Sequence, residues 1–410
     1  MPIILMMIID RTEVNEIKKI KKWLLIYGRR KTGKTFLVEN FLTFDEYFFV
    51  KRDRTILSKK DQKKITYETL TSLLERGLSN GNTIVIDEFH RLGDDFLDFI
   101  QYINKKGKLI LISSTLFLSK KMFTSKSPIL GFFAEVPVRI IRLDDCLRTL
   151  RQYNLDKKRL LETAILLREP LAIEYFDPKE NPRKTLVKIL QYSTNAIPAL
   201  VGEIFVEEER SISAIYEGIL RAIANGNTVS GEISSYLFSR KTIQKDDPSL
   251  IQQYLKNLME FGIIKRIKVY ENKRLIYKHV SPLVRIFYYA DEKYNISERR
   301  VTDGELERII DEIMPLLVED SIREFLAEKL GLEESVAQAK DFDVDSVFLR
   351  FKKPEALVEV KWRDTIKTSD ISEHLKKLKT KKSYLFVPDK RKIQTETVLG
   401  MKVVDILDFL

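Results

Sequence analysis

Short apolar runs alternate with helical periodicity through the first 145 residues, the pattern expected of a parallel α/β sheet. Runs at 23–27, 47–50, 83–86, 109–112 and 138–143 predict five strands. From 146 to about 225 the periodicity is helical, with polar breaks. Residues 214–280 then predict helix, helix, helix and hairpin. Ile219 to Ala224 close the first helix before Asn225-Gly226-Asn227, and 232–238 form a short second one. Asp247-Pro248 is an N-cap and N1 pair for the third, whose Ile251, Tyr254, Leu255, Leu258 and Met259 share one face. Runs at 263–270 and 274–279 flank Glu271-Asn272-Lys273 as a hairpin, completing the order of a winged helix-turn-helix.

A charged stretch at 291–302 predicts a linker. Beyond it come a helix (305–330), strands (344–350 and 356–361), a helix (369–378), a strand (383–387) and a last strand near Val403. The expected organisation is therefore an α/β core (1–145), a helical lid (146–213), a winged helix (214–290) and a smaller α/β unit (303–410). No internal repeat is evident.

Composition narrows the chemistry. A single cysteine, Cys146, excludes an internal disulfide framework, and three histidines leave no Cys/His zinc cluster. Lys and Arg total 71 against 60 Asp and Glu, a formal charge of +11. That is a mixed surface with a basic tilt, which suits a polyanionic partner or a thermophile's dense ion pairing. The apolar run at 3–9 is far shorter than the roughly 20 residues a membrane span needs. It lacks a signal peptide's basic start and small-residue cleavage site. It reads as a buried strand, no membrane partner is expected, and the expected location is the cytoplasm.

Gly28-Arg29-Arg30-Lys31-Thr32-Gly33-Lys34-Thr35 fits GxxxxGK[ST] at every fixed position. Glycines at both ends let the loop fold around phosphates and present backbone N–H groups. Lys34 would reach the β- and γ-phosphates of ATP, and Thr35 would offer its hydroxyl to Mg²⁺. A strand precedes the loop and a helix follows, whose N-terminus favours anions. The apolar strand from Thr83 ends in Asp87-Glu88. Asp87 would complete the Mg²⁺ shell and Glu88 would polarise the attacking water. One strand later, Ser113-Ser114-Thr115 could sense the γ-phosphate from between the two motif strands, with Ser114 the preferred residue.

These segments, IYGRRKTGKTFLVENF, then IVIDEFHRL, then the winged-helix pattern, resemble archaeal AAA+/STAND-type P-loop ATPases with a GRRxxGKT loop. The resemblance covers essentially the whole chain, because such proteins often carry a C-terminal restriction-endonuclease-like domain. It implies a P-loop NTPase fold in the first unit. Asp10-Arg11-Thr12-Glu13 is similar to their N-terminal box, which implies Arg11 near the adenine. Two positions depart from the pattern. Gly131 is followed by Phe132 rather than arginine, and Asn195-Ala196-Ile197-Pro198 stands in place of Gly-Gly-x-Pro, so no arginine finger is assignable.

In the last unit, Asp345 followed by Glu359-Val360-Lys361 fits D-x(n)-E-x-K on adjacent strands. Strand alternation puts Glu359 and Lys361 on one face. Asp345 and Glu359 could hold a second Mg²⁺ or Mn²⁺, with Lys361 positioning or deprotonating a water. Asp343 competes with Asp345, and Glu324 resembles the auxiliary acid of the PD-(D/E)XK superfamily. The third helix of the winged-helix pattern offers Gln252, Gln253, Lys256 and Asn257. Arg240, Lys241 and Lys245 precede it, and Lys265, Arg266, Lys268, Lys273 and Arg274 follow in the wing. A further run comprises Lys376, Lys377, Lys379, Lys381 and Lys382. Together these predict a DNA partner, with ATP or ADP as the small ligand and a homo-oligomer as one possible state. The alternative is a STAND-like signalling or defence switch that binds proteins, turns over little ATP and cuts no DNA.

Overall fold

A computed structural model describes residues 7–114, 131–202, 210–339, 342–366, 378, 380–393 and 395–410; side chains at 202–213 and 338–343 are not described. Thr115, the helix expected at 369–378 apart from Leu378, the Asp343 side chain, and Lys376, Lys377 and Lys379 lie outside the described set.

The first unit is built on a seven-stranded sheet. Its strands are β1 (Trp23–Tyr27), β2 (Glu46–Val50), β3 (Ile56–Ser58), β4 (Lys63–Ile65), β5 (Thr83–Asp87), β6 (Lys108–Ser113) and β7 (Phe133–Pro137), in spatial order β4-β3-β2-β5-β6-β1-β7. β2, β5, β6, β1 and β7 run parallel, whereas β3 and β4 add antiparallel strands at one edge. Helices cover both faces, which is why the central strands read as unbroken apolar runs. The strand expected at 138–143 is a correction. The strand is Phe133–Pro137, and after one more bond, from the Val138 N–H to the Tyr27 carbonyl (2.7 Å), the chain leaves the sheet. Ile140, Ile141 and Leu143 are buried, but Ile141 and Leu143 pack in the helical core behind the sheet. A core strand and a core connector are equally apolar, so the run alone could not separate them.

A second sheet of eight strands joins what the sequence divides. β8 (Ile264–Val269) and β9 (Leu275–His279) form the expected hairpin after helices Arg210–Ala224, Ser230–Ser239 and Gln252–Glu260. β10 (Glu333–Ala339), β11 (Phe342–Arg350), β12 (Lys353–Val360), β13 (Lys382–Phe386), β14 (Thr397–Val398) and β15 (Met401–Val404) follow. The spatial order is β14-β15-β13-β12-β11-β10-β8-β9, so the hairpin extends the C-terminal sheet through β8 and β10. The expected linker is ordered at its start. Helix Pro282–Tyr294 runs through buried Asp291, which accepts bonds from Ser297, and the next helix, Asp303–Leu330, begins in a Thr302/Glu305 capping box. One continuous core joins Ile9 to residues 141–406 and includes the helices Lys157–Leu167, Pro182–Tyr192 and Ala196–Gly202. Glu162 of helix Lys157–Leu167 accepts from Trp362 Nε1 (2.9 Å), and Lys157 bonds Asp389 and Asp405 at 2.7 and 2.5 Å.

Candidate functional sites

Two clusters of functional groups form, one in each sheet. In the first, β1 delivers the chain to Gly28, where a Cβ would stand 2.2 Å from the Val138 carbonyl oxygen; only glycine passes so close to the neighbouring backbone. The loop closes at Gly33, with φ 88°, and helix Lys34–Phe41 starts at the next residue. The buried Lys34 ammonium crosses the loop and donates to the carbonyls of Gly28 and Arg29, both at 2.8 Å. Burial pulls it down to about 8, against the attraction of Glu88 and Asp87.

β6 lies between β1 and β5, so the Asp87 strand faces the loop from one strand away. Thr35 Oγ1 donates to Asp87 Oδ2 at 2.8 Å, and the Tyr47 hydroxyl donates to the same oxygen at 2.7 Å. Burial raises the Asp87 carboxyl, and the Tyr47 and Thr35 bonds work against that rise. A hydroxyl touching a buried carboxylate beside Lys34 is a donor set that fits Mg²⁺.

Glu88 follows in a left-handed conformation (φ 56°, ψ 35°), turning its side chain toward β6. Ser114 donates to Glu88 Oε2 at 2.9 Å. His90 Nε2 and Arg91 Nη2 approach the same oxygen at 3.4 and 3.2 Å. Burial, then Arg91, Arg30 and Lys34, push the His90 imidazole down to about 4, so it is neutral at pH 7. Tyr47, His90 and Arg91 were missed in the sequence. The last two sit in the turn directly after Asp87-Glu88, and that adjacency was the available signal.

The remaining loop residues point elsewhere. Arg29 is buried and ion-paired with the fully buried Glu169, at the start of the helical turn Pro170–Ile173. Glu169 Oε2 has no hydrogen-bond partner among the described residues. Thr32 Oγ1 donates to the Arg29 carbonyl at 3.0 Å, Arg30 is half-buried and Lys31 is exposed. Arg11 donates to the carbonyls of Thr32 and Arg139, both at 2.8 Å, bracing the loop from outside. A cavity of about 250 Å³ opens here between Arg11, Gly33, Phe36, Ile141 and Leu171. It is mostly apolar and abuts the phosphate loop.

In the second sheet, Ser346 pairs with Val358, which sets Asp345 beside Glu359 at one end of the β11–β12 hairpin. Asp345 Oδ2 accepts the Val360 N–H at 2.8 Å. Lys361 Nζ donates to Glu359 Oε1 at 2.6 Å, while buried Glu359 Oε2 has no hydrogen-bond partner among the described residues. Burial lowers the Lys361 ammonium, but the bond to Glu359 and the charges of Glu359, Asp345 and Glu319 raise it overall. The auxiliary acid expected at Glu324 is a correction. Glu324 pairs with Arg168 and with Lys265 (2.9 Å), and these cations hold it at about 2 although burial would raise it. Glu319 faces the cluster instead. Burial and the Asp345 and Asp320 carboxylates push its carboxyl up to about 8. The two glutamates lie five residues apart on one helix, and periodicity alone does not say which face meets β11.

Among the described residues, no three His, Cys, Asp or Glu side chains form a ready-made metal cage. Several of the expected DNA-facing groups are engaged within the chain. Asn257 donates to the Tyr216 hydroxyl (2.6 Å), Arg240 pairs with Glu292, and Lys381 with Glu355 (3.0 Å). Lys265 and Lys268 pair with Glu334 and Glu333 of β10 (2.9 and 2.7 Å), a direct result of the hairpin joining the second sheet. Arg266, Lys273 and Arg274 form no ion pair with another described residue.

A glycine-bounded phosphate loop on a parallel sheet, faced one strand away by an Asp-Glu strand end, defines a P-loop nucleotide-binding domain. Residues 20–129 match the AAA domain family. The chain is similar to the Walker-type ATPase PABY2304 of Pyrococcus abyssi, with a TM-score of 0.51 at 19% identity over 68% of this chain and 96% of that one. It is also 24% identical to the uncharacterized protein MJECL04 of Methanocaldococcus jannaschii, over 97% of this chain and 96% of that protein. The Aeropyrum pernix ORC1 protein, solved in complex with DNA, gives a TM-score of 0.30 at 15% identity over 70% of this chain and 91% of that one, too slight a likeness to argue from. Among the described residues no helix is long and apolar enough to cross a membrane.

Proposed function

We propose that the chain is an ATP-binding, Mg²⁺-dependent ATPase whose nucleotide state drives a lid and winged helix that act on DNA, alongside a nuclease-like C-terminal domain. The apposition of Lys34, Thr35, Asp87, Glu88 and Ser114 around one loop carries this reading. ATP would place its phosphates in the loop, where Lys34 exchanges two carbonyls for phosphate oxygens, and its base in the apolar cavity beside Arg11 and Phe36. Thr35 and Asp87 would hold Mg²⁺, which supplies charge neutralisation between the terminal phosphates. Glu88 would leave Ser114 and Arg91 to polarise the attacking water, and Ser114 would be free to report the γ-phosphate. Arg29 and Glu169 give the loop a direct handle on the lid. Glu88→Gln tests the assignment: ATP binding persists while hydrolysis falls by about a hundredfold or more. Unchanged turnover would remove Glu88 from the mechanism.

The switch reading gains from one observation: Glu88 is held by Ser114, His90 and Arg91 together, a conformation that withholds the base from water. ATP-dependent oligomerisation with negligible turnover and no DNA binding at low salt would favour it. For the C-terminal domain, the orphaned Glu359 Oε2 beside Asp345 and Lys361 supports a second cation and metal-dependent cleavage.

A further inference from the structure

β11 and β12 are joined by the two-residue turn Phe351-Lys352, with Arg350 and Lys353 paired at its base. Both turn residues are left-handed, φ 50° and 67°. Such a turn favours asparagine and glycine, and a bulky aromatic at positive φ is an outlier. The turn between β14 and β15 supplies an internal comparison. There Leu399 is also left-handed (φ 50°), but glycine follows it and its side chain packs against the core of the second sheet, so burial offsets the strain. Phe351 has no such compensation. Its side chain is 94% exposed, more than any other large hydrophobic group among the described residues.

The surroundings of the ring are cationic. Arg350, Lys352 and Lys353 are exposed, and none forms an ion pair with another described residue. Lys382 lies at the same end of the sheet, opposite Ala356 on the neighbouring strand. The chain thus holds an aromatic ring in water on a strained turn, beside cations that form no ion pair with another described residue. An outlier of this kind points to work done outside the fold.

We propose that Phe351 is a stacking wedge for nucleic acid: the ring lies against an exposed base or base step while Arg350, Lys352 and Lys353 engage the flanking phosphates. A planar ring between cations matches a polyanion whose bases offer flat apolar faces, and such contacts tolerate any sequence. A membrane surface fits less well. Behind the tip Leu349 is buried and Pro354 half-buried, so only one apolar side chain could enter the bilayer, and stable anchoring takes more than one such signal. The proposal rests on the DNA reading above and adds to it a contact point outside the winged helix.

The test uses the full chain, a dye-labelled oligonucleotide for affinity and one carrying 2-aminopurine for stacking, each single-stranded and duplex, at low salt. Phe351→Ala should weaken binding about tenfold and abolish the 2-aminopurine quenching, whereas Phe351→Trp should preserve both. Phe351→Asn with Lys352→Gly installs the favoured turn; it should raise Tm while lowering affinity, an outcome a merely structural role cannot produce. Wild-type protein that binds DNA with affinity and quenching unchanged in Phe351→Ala overturns the wedge and leaves DNA binding intact. Absence of any binding by the wild type overturns both readings. Phe351-dependent sedimentation with phosphatidylglycerol vesicles, without nucleic-acid binding, would overturn the proposal in favour of a lipid surface.

Discussion

The phosphate-loop cluster and the C-terminal carboxylate cluster differ in how their groups are brought together. At the phosphate loop, Asp87, Glu88 and Ser114 stand at the ends of β5 and β6, and Lys34 and Thr35 open the helix that follows the loop after β1, so the backbone places all five. At the second cluster, two residues come from β11 and β12, a third from the chain just after β12, and Glu319 from a helix whose rotation is set by packing. Contiguous strand and helix ends make one site robust, whereas the other sits against a partly buried charge lattice. That lattice is extensive: Arg168 pairs with Glu324, Glu324 with Lys265, Lys265 with Glu334, and Glu334 with Arg323, whose guanidinium reaches the Asp345 carbonyl at 3.2 Å. Glu169, next to Arg168, holds Arg29 of the phosphate loop.

The sharpest break in the comparison is Lys34→Ala. It should weaken nucleotide binding by about a hundredfold or more, read by calorimetry, while leaving Tm of the unliganded protein within a few degrees. Arg29→Ala should instead act on stability, because it strands Glu169 in the core. A loss of about 3–5 kcal/mol in denaturant unfolding is expected, and Arg29→Met with Glu169→Leu should recover most of it. Equal stability of the single and double variants would deny that the pair is buried in solution. At the second cluster, Lys361→Ala should eliminate any Mn²⁺-dependent DNA cleavage; cleavage that survives does not come from Glu359 and Asp345.

The smallest effect concerns pH. A carboxyl raised in the folded state binds its proton more tightly there than in the unfolded chain. Glu319 therefore contributes stability at low pH that is lost as pH rises from about 4.5 towards 8. Tm should fall by a few degrees across that window in the wild type and less in Glu319→Gln. Parallel curves would mean that Glu319 is solvated.

Legibility follows the same division. The phosphate loop and Asp87-Glu88 were plain because both motifs are contiguous and need one backbone shape each. Ser114 was reachable because a strand end fixes which residue emerges. Glu319 was not, since helical periodicity marks an apolar stripe but not which flanking acid meets a neighbour. Glu169 and Tyr47 were also out of reach, because each enters its site through tertiary contact from a segment whose sequence is ordinary. The strand assigned at 138–143 failed for a related reason, as its buried side chains serve the helical core rather than the sheet.

The pairing of β8 with β10 also governs how the chain can fold. Between these neighbours lie β9 and the helices Pro282–Tyr294 and Asp303–Leu330, so the bond from the Tyr270 N–H to the Val336 carbonyl (2.7 Å) closes late. A growing chain that has emerged only to residue 300 carries a finished first sheet beside a hairpin with one bare edge. That edge is a template for pairing with other chains until β10 arrives. Expression fragments ending between β9 and β10 should therefore aggregate.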